Sequence, residues 1–285
     1  YSNRDGLDAN DREFSQDSLD PTFLLAEQKR HSVFVTAGQS LNNKIDVFGD
    51  AFYSIRNNGE TAVNFSRAIV FRSAETKQHG VSLGSRLALN ENWQAELVGT
   101  FSRNNVSRAE TVVETDIATS FSDVDSTVWA LDGKADGSIV ALPGGDIKLA
   151  IGSQYRHEEY MVTRGDVLSA FLNDVNEERD IYAVFSEIFV PLVSKDNRIA
   201  GIERLEVTVA GRYENYSDFG SSTDSKLGLL WSPVAGINVR GTYGTSFRAP
   251  LLAELETSLS SGFLFALPDP SSPTGSTLAV IANGN

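Results

Sequence analysis

Residues 236–256 read GINVRGTYGTSFRAPLLAELE. In the first half of this stretch, odd-numbered positions carry apolar or aromatic side chains, at Ile237, Val239, Tyr243 and Phe247. Even-numbered positions carry polar side chains, including Arg240 and Arg248. Because successive side chains of a strand point to opposite faces, this pattern predicts a strand with one apolar and one polar face. Pro250 has no backbone donor and is predicted to end the ladder. The apolar face requires either a protein core or lipid.

Composition narrows the class of protein. The chain has 24 basic and 38 acidic residues, a net charge of -14, which argues against binding to nucleic acid phosphates. It has no cysteine, so no disulfide, thiolate metal site or cysteine nucleophile is expected. The sequence has no run of about 18 apolar residues, so no transmembrane helix is predicted. A membrane strand needs only about 9 to 11 residues, so strands that cross a membrane are still possible. The opening YSNRDGLDANDREF lacks the basic start and apolar core of a signal peptide.

The same alternation recurs along the chain. It predicts strands at residues 31–40, 44–56, 78–89, 92–103, 126–142, 147–156, 180–192, 203–217, 223–232 and 237–248. Short turns are predicted at residues 41–43, 90–91, 143–146 and 233–235, and long connections at residues 57–76, 104–125, 161–179 and from Phe247 onward. Residues 1–19 and 258–285, with the proline-rich stretch 267–276, are predicted as loops. Short and long connections therefore alternate along about ten strands.

Three features favour lipid over a protein core. The predicted strands reach about 12 to 15 residues, against about 5 to 6 in soluble sheets. Asp46 and Asp50 share one face of a single strand, which a dry core would penalise. Trp93 and Phe101 share the apolar face of another strand, roughly 20 Å apart in height, as two aromatic girdles would be. The predicted fold is all-β, an antiparallel up-and-down transmembrane β-barrel segment of about ten long strands, with short periplasmic turns and long extracellular loops. A large soluble β-sandwich, with tryptophan and tyrosine in its core, is the alternative.

Residues 180–255 carry four short motifs in a fixed order. They are GRY at 211–213, YSDFGS at 216–221, WSP at 231–233 and YGTSFRAP at 243–250, followed by Glu254-Leu255. In order and spacing this set resembles the barrel of TonB-dependent outer-membrane receptors. Residues 26–56 are similar in style to the earlier strands of that family. The middle strands agree only by pattern.

The resemblance implies a non-enzymatic active transporter in the outer membrane of a Gram-negative bacterium, without catalytic residues or a cofactor. Such a receptor captures a scarce large solute, of a class such as siderophore, cobalamin, oligosaccharide or peptide, and is powered through the TonB complex. Its partners are the plug domain, outer-membrane lipid and the solute. Residues 1–285 are then expected to be part of a barrel, without the plug or the closing strands. The alternatives are a passive outer-membrane channel, a barrel enzyme, or a soluble β-sandwich used for adhesion.

The polar faces provide the candidate site. The residues expected to face the solute or the plug are Arg156, Arg212, Glu214, Arg240 and Arg248. Arg240 and Arg248 are expected to pair with carboxylates such as Glu206 or Glu214, since guanidinium and carboxylate groups match in geometry. The motif residues Tyr243, Phe247, Arg248, Ala249 and Pro250 are expected to build the barrel, with Tyr243 and Phe247 toward lipid. The predicted long connections would form the solute vestibule.

No motif for metal binding or catalysis accompanies these residues. His31, His79 and His157 are scattered without ligand spacing, so no zinc site is expected. The acidic stretches at 123–125 and 174–180 lack the ordered ligands of a calcium loop. No nucleophile elbow, phosphate loop or dinucleotide fingerprint is present.

Overall fold

The computed structural model describes residues 2–4, 7–8, 23–63, 68–166, 171–255, 263–268 and 276–281, with side chains over 26–63, 68–165 and 174–255. The strands are β1 (Ser2–Arg4), β2 (Leu7–Asp8), β3 (Phe23–Leu25), β4 (Glu27–Asn42), β5 (Ile45–Val63), β6 (Ile69–Ala88), β7 (Trp93–Val112), β8 (Ile117–Leu142), β9 (Gly145–Asp166), β10 (Phe171–Val193), β11 (Arg204–Tyr216), β12 (Gly220–Ser232), β13 (Val239–Gly244), β14 (Phe263–Pro268) and β15 (Ser276–Ile281). A short helix, α1, spans Leu252–Leu255.

One sheet contains eleven of these strands, in the order β1-β4-β5-β6-β7-β8-β9-β10-β11-β12-β13. From β4 to β13 every strand pairs antiparallel with the next strand in the chain. The sheet is not closed within the described residues, since β1 and β13 form its two edges. Two small hairpins, β2-β3 and β14-β15, lie outside it. The prediction of an antiparallel, up-and-down barrel segment of about ten long strands is confirmed.

The apolar face of the sheet has no second layer packed on it in the part of the chain that the structure describes. Directly paired residues share a face, and Val209 pairs with Leu227 on the same face as the pair Trp231 and Val239. Val209 and Val239 are each 50% exposed. A β-sandwich would bury these side chains against a second sheet, so the soluble alternative is wrong. An exposed apolar face of this extent fits lipid.

Aromatic side chains bound this apolar face at two heights. The upper belt contains Tyr53, Trp129, Tyr155, Tyr182, Tyr213 and Tyr243, all on the apolar face by their pairing. The rings of Trp129 and Tyr155 lie 4.9 Å apart. At the lower end, Trp93 donates its indole N–H to the Ser138 carbonyl at 3.0 Å, so its polar edge is satisfied there. Aromatic girdles at both interfaces are typical of membrane barrels.

The strands are longer at their upper ends than the sequence pattern predicts. The predicted long connections at 57–76, 104–125 and 161–179 are largely strand, because β5 and β6, β7 and β8, and β9 and β10 extend into them. β8 alone has 26 residues, which at about 3.3 Å per residue and a tilt near 40° rise roughly 65 Å, well above an apolar band of about 25 Å. Above the lipid both faces of a strand meet water, so the apolar alternation disappears while the hydrogen-bonded ladder continues.

The ends of the chain also correct the loop predictions. β13 stops at Gly244, six residues before Pro250, so the predicted strand over 237–248 is too long. Beyond Gly244, the Asp224 carboxylate accepts the Phe247 N–H at 3.3 Å, in place of a ladder partner. Within the predicted terminal loops, residues 2–4 and 7–8 form short strands and 263–268 pairs with 276–281, while the remaining predicted loop residues lie outside the described part. No helix among the described residues is long and apolar enough to cross a bilayer.

Candidate functional site on the polar face

Strands β8 to β11 bring a set of polar side chains together on the polar face of the sheet. The members of this polar network are Asp132, Gln154, Arg156, Glu158, Arg212 and Glu214. The network includes three of the five residues predicted to face the solute or the plug.

Gln154 lies at the centre of the polar network. Its side-chain oxygen accepts hydrogen bonds from Arg156 Nη1 and Arg212 Nη2, each at 3.2 Å. Its side-chain nitrogen donates to Asp132 on β8 at 2.5 Å. A carboxamide both donates and accepts, so a single neutral side chain can join two cations to an anion. Gln154 therefore connects β8, β9 and β11.

The two arginines of the network are each matched by a carboxylate. Arg156 Nε donates to Glu158 Oε1 at 2.7 Å, and Arg212 Nε donates to Glu214 Oε1 at 2.8 Å. The second oxygen of Glu214 accepts the Tyr216 hydroxyl at 2.6 Å. Charge-assisted bonds of this kind are short and strong, and partly buried members lose more when a partner is removed. Each arginine of the network therefore has a carboxylate partner, and hydrogen bonds link β8, β9 and β11 across the polar face.

Small side chains on β9 and β10 let the network span β10. Ala183 pairs with both Gln154 and Glu214, so only a methyl group separates these two side chains along the row. Gly152 lies beside the Phe185 ring, and a Cβ added there would come within 2.3 Å of that ring. The ring thus occupies space that a side chain at 152 would fill. The Arg212 guanidinium lies 5.9 Å from the centre of the same ring.

Above the network, Arg179 joins β10 to the segment that follows β13. Its side chain is only 2% exposed, and its Nε donates to Asp218 Oδ2 at 2.8 Å. Its Nη1 donates to the Pro250 carbonyl at 2.9 Å. The guanidinium also lies over the rings of Tyr216 and Phe219, at 5.7 and 5.3 Å. Residues 245–251 therefore turn back over the polar face, and Arg179 holds them there.

The remaining predicted site residues, Arg240 and Arg248, do not join the network. Arg240 lies on the edge strand, and no ion pair or hydrogen bond joins its side chain to a described residue. Arg248 Nη2 donates to Glu254 at 2.9 Å, so the expected pairing with Glu206 or Glu214 is wrong. The reason is that β13 ends at Gly244, and the alternation that would place Arg248 beside Arg240 ends with it.

Glu254 closes a small loop after the strand. Its Oε2 accepts the backbone N–H of Leu251 at 2.8 Å while its Oε1 accepts from Arg248. The Leu251 N–H, and then the Arg248 guanidinium, lower the pKa of the Glu254 carboxyl below its usual value. Both bonds are stronger to the ionised carboxylate, and both lie outside the sheet.

The other motif residues make contacts within the barrel wall. Tyr243 pairs with Leu227 on the apolar face and is 76% exposed, in line with its expected direction. Phe247 differs from the expectation, because its ring lies 5.6 Å from Phe219 and 6.3 Å from Tyr216, whose hydroxyl reaches the polar network. The Pro250 carbonyl is held by Arg179, and Ala249 precedes it.

Gln154, Arg179, Tyr216 and Asp218 are not among the site residues predicted from the sequence. Gln154 lies two residues from Arg156 and therefore on the same polar face of the strand, and this shared face is the sequence signal that could have indicated it as a site residue. The sequence pattern places Arg179 in a loop because the alternation is weak near it, although its partner Asp218 lies within the YSDFGS motif. Pairing between residues 39 positions apart is not visible in a single sequence.

The histidine and carboxylate positions show no metal centre in the described ranges. No group of three or more histidine, cysteine, aspartate or glutamate residues there is placed to hold an ion. His157 contacts Asp180 at 2.8 Å and Glu159 at 3.1 Å, on the apolar side of the sheet at the upper belt. This group is a local interaction at the edge of the aromatic belt.

Comparisons with known proteins agree with this geometry. A family model described as TonB dependent receptor-like, beta-barrel matches residues 8–285. No curated protein matches the sequence. The structure of the RagAB peptide transporter superposes with a TM-score of 0.63 at 12% identity, over 92% of this chain and 37% of that one. The RagAB peptide importer in its closed-closed and open-open states superposes with TM-scores of 0.63 at 11% identity, over 92% of this chain and 36% of each of those chains. This chain thus spans somewhat over a third of the length of these structures, and the likeness shows the fold.

Proposed function

We propose, from the premise that this chain belongs to the TonB-dependent receptor-like β-barrel family, that it forms part of the barrel wall of an outer-membrane active transporter. The observation that carries the proposal is the division of one sheet into two faces. The apolar face carries aromatic side chains at its upper and lower ends, and the polar face carries the hydrogen-bonded polar network. A wall of this kind separates lipid from a polar lumen.

The proposed mechanism assigns a different task to each part of the wall. Arg156 and Arg212, held by Gln154, and Glu214, held by Arg212, face the lumen and contact the plug domain. Arg240 and Arg248 face the lumen at the edge strand and the segment after it. The upper extensions of β5 to β10 surround the entry for the solute. The plug domain and the closing strands are contributed by regions other than the sheet described above, in line with the length of the superposed transporters.

The proposed activity is uptake of a scarce large solute, powered through the TonB complex, with no catalysis by the barrel and no cofactor. Candidate solutes are siderophores, cobalamin, oligosaccharides and peptides. The superposed structures are described as peptide transporters, which supports testing peptides first. The proposed location is the outer membrane of a Gram-negative bacterium.

Growth of deletion strains tests this proposal. The host strain lacking the gene and a strain lacking TonB are grown on single candidate nutrients, each supplied at limiting concentration. Active transport predicts that both strains lose growth on the same nutrient, and that the protein fractionates with the outer membrane. Loss of growth in the first strain alone would contradict energised uptake and would indicate a passive channel.

A further inference from the structure

The upper extension of the sheet contains a pocket that the polar network does not reach. It has a volume of about 410 Å³ and lies between β5, β6, β7 and β8. Two neighbouring rows of directly paired residues form its polar lining. The first row is Asn58, Ala74, Arg108 and Ser122, and the second is Glu60, Arg72, Glu110 and Ser120. Both rows continue the polar face of the membrane part.

The charges of the second row are committed to one another. Arg72 Nε donates to Glu110 at 2.8 Å, and Arg72 Nη1 lies 3.8 Å from Glu60. The Thr119 hydroxyl also donates to Glu110 at 3.4 Å. These groups therefore have little capacity left for a ligand.

Arg108 in the first row differs from its neighbour Arg72. Its side chain is exposed, and no hydrogen bond or ion pair joins it to a described residue. Two small side chains flank it, Ala74 on β6 and Ser122 on β8. A guanidinium presents planar, paired N–H donors that fit the oxygens of a carboxylate or a phosphate. Space beside Arg108 is therefore open to an oxyanion.

Asn58 supplies the complementary feature across the pocket. Its side-chain Oδ1 is buried and has no hydrogen-bond partner in the described part of the chain. Asn58 and Arg108 lie in the same row two strands apart, about 10 Å between backbones at the usual strand spacing. A buried acceptor without a donor is costly, and rotation of the Asn58 side chain toward the pocket would let a ligand N–H satisfy it.

From these observations we infer that the pocket binds a solute in which a carboxylate or phosphate, held by Arg108, lies near an N–H donor, held by Asn58. The lining carries two arginines in all, Arg72 and Arg108, and two glutamates, Glu60 and Glu110, so its formal charges cancel. A neutral lining with separated signs favours an amphoteric solute over a simple polyanion. This inference rests on the proposed transport function and narrows its solute class.

Matched pairs of probes test the inference on the full-length protein in detergent. The first pair is acetyl-Ala-Ala with a free carboxylate and its carboxyl-terminal amide, and the second is phosphoethanolamine and ethanolamine. We expect at least one anionic probe to bind about tenfold or more tightly than its partner, since a charge-assisted bond is lost in the control probe. Isothermal titration calorimetry gives the four affinities, and the pair that discriminates identifies the oxyanion.

Three variants complete the test. Arg108→Gln should abolish the advantage of the anionic probe, and Asn58→Leu should weaken binding of both members of the discriminating pair. Arg198→Gln removes the same charge from a paired, exposed arginine in the turn at the other end of the sheet and should change nothing. Both Arg108 and Arg198 are exposed, so neither change should unfold the barrel.

Two results would overturn the inference. The first is equal affinity within both probe pairs, including no binding of any probe, and the second is an anion preference that survives Arg108→Gln. Neither result bears on energised uptake, which the growth of the deletion strains decides separately. If the deletion strains grow normally while the probes still bind, the transport function alone would be overturned.

Discussion

The lower and upper parts of the same strands have different side-chain patterns and the same backbone structure. In the lower part, as in β7 between Trp93 and Phe101, apolar and polar side chains alternate. In the upper part, as in β7 from Asn104 to Val112, both faces are mostly polar, yet the ladder to β6 and β8 is unbroken apart from one bulge. The difference shows that alternation reports the medium on each side of a strand, whereas pairing depends on backbone hydrogen bonds.

The largest expected effect concerns the residue that ties the upper part to the segment after β13. Arg179→Met should destabilise the protein by about 3 to 5 kcal/mol, because the Asp218 carboxylate and the Pro250 carbonyl lose a buried cationic donor. Urea unfolding of the full-length protein in lipid measures the change. Arg204→Met is the control, since that arginine is 51% exposed and its pairing with Glu206 should contribute about 0 to 1 kcal/mol. Equal effects of the two changes would contradict the role of Arg179.

A second prediction compares arginine on the outer face at two heights. Leu97 lies on the apolar face midway between Trp93 and Phe101, and Leu97→Arg should cost about 2 to 4 kcal/mol in a bilayer. Ser107 lies on the same face in the upper part, between Glu75 and Asp123. Ser107→Arg should be neutral or slightly stabilising, because water and two carboxylates surround it. Similar costs at both positions in urea unfolding would remove the distinction between the two parts.

A third prediction concerns charge pairs at the same two heights. Glu214→Gln should cost about 1 to 3 kcal/mol, since this partly buried carboxylate accepts from both Arg212 and Tyr216. Glu75 pairs with Lys77 on the upper outer face, where both side chains are more than a third exposed. Glu75→Gln should therefore have almost no effect. Equal unfolding midpoints of the two variants would indicate that the polar network contributes no more than a surface pair.

The smallest expected effect is a local pH response after β13. The folded pKa of Glu254 is lowered, so its bonds to Leu251 and Arg248 are present at neutral pH and are lost as the pH falls through that lowered pKa. An NMR titration of the Glu254 carboxyl measures the value. Arg248→Gln should raise the pKa only in part, because the Leu251 N–H remains. A Glu254 pKa at or above its ordinary value would contradict the described loop.

The membrane part was predicted well from the sequence. Lipid on one side and water on the other require apolar and polar side chains at alternate residues, and this pattern is visible in the sequence. Alternation predicts the overall order of the strands. It also predicts the turn at Asn90-Glu91 and the shared face of Trp93 and Phe101. The upper extensions of the strands were not predicted, because water on both faces of a strand removes the alternation of apolar and polar residues. The end of β13 was missed for a different reason, since Asp224 and Arg179, which capture the chain after Gly244, are distant in sequence.

The candidate site was only partly predictable for related reasons. Charge and parity place Arg156, Arg212 and Glu214 on the polar face, but they do not single out the neutral Gln154 that joins the two arginines. Arg108 is not among the predicted site residues either, since the sequence pattern predicts a long connection over residues 104–125. In each case the missing information is which strand lies beside which, and in what register.

Amide hydrogen exchange over β7 and β8 tests the central claim most directly. The full-length protein in lipid bilayers is followed by mass spectrometry at residues 104–112 and 117–125, with the turn at 113–116 as the internal reference. A continuous ladder predicts slow exchange in both stretches and fast exchange in the turn. Exchange in residues 104–112 and 117–125 as fast as in the turn would show that these residues are loop, and would contradict the account.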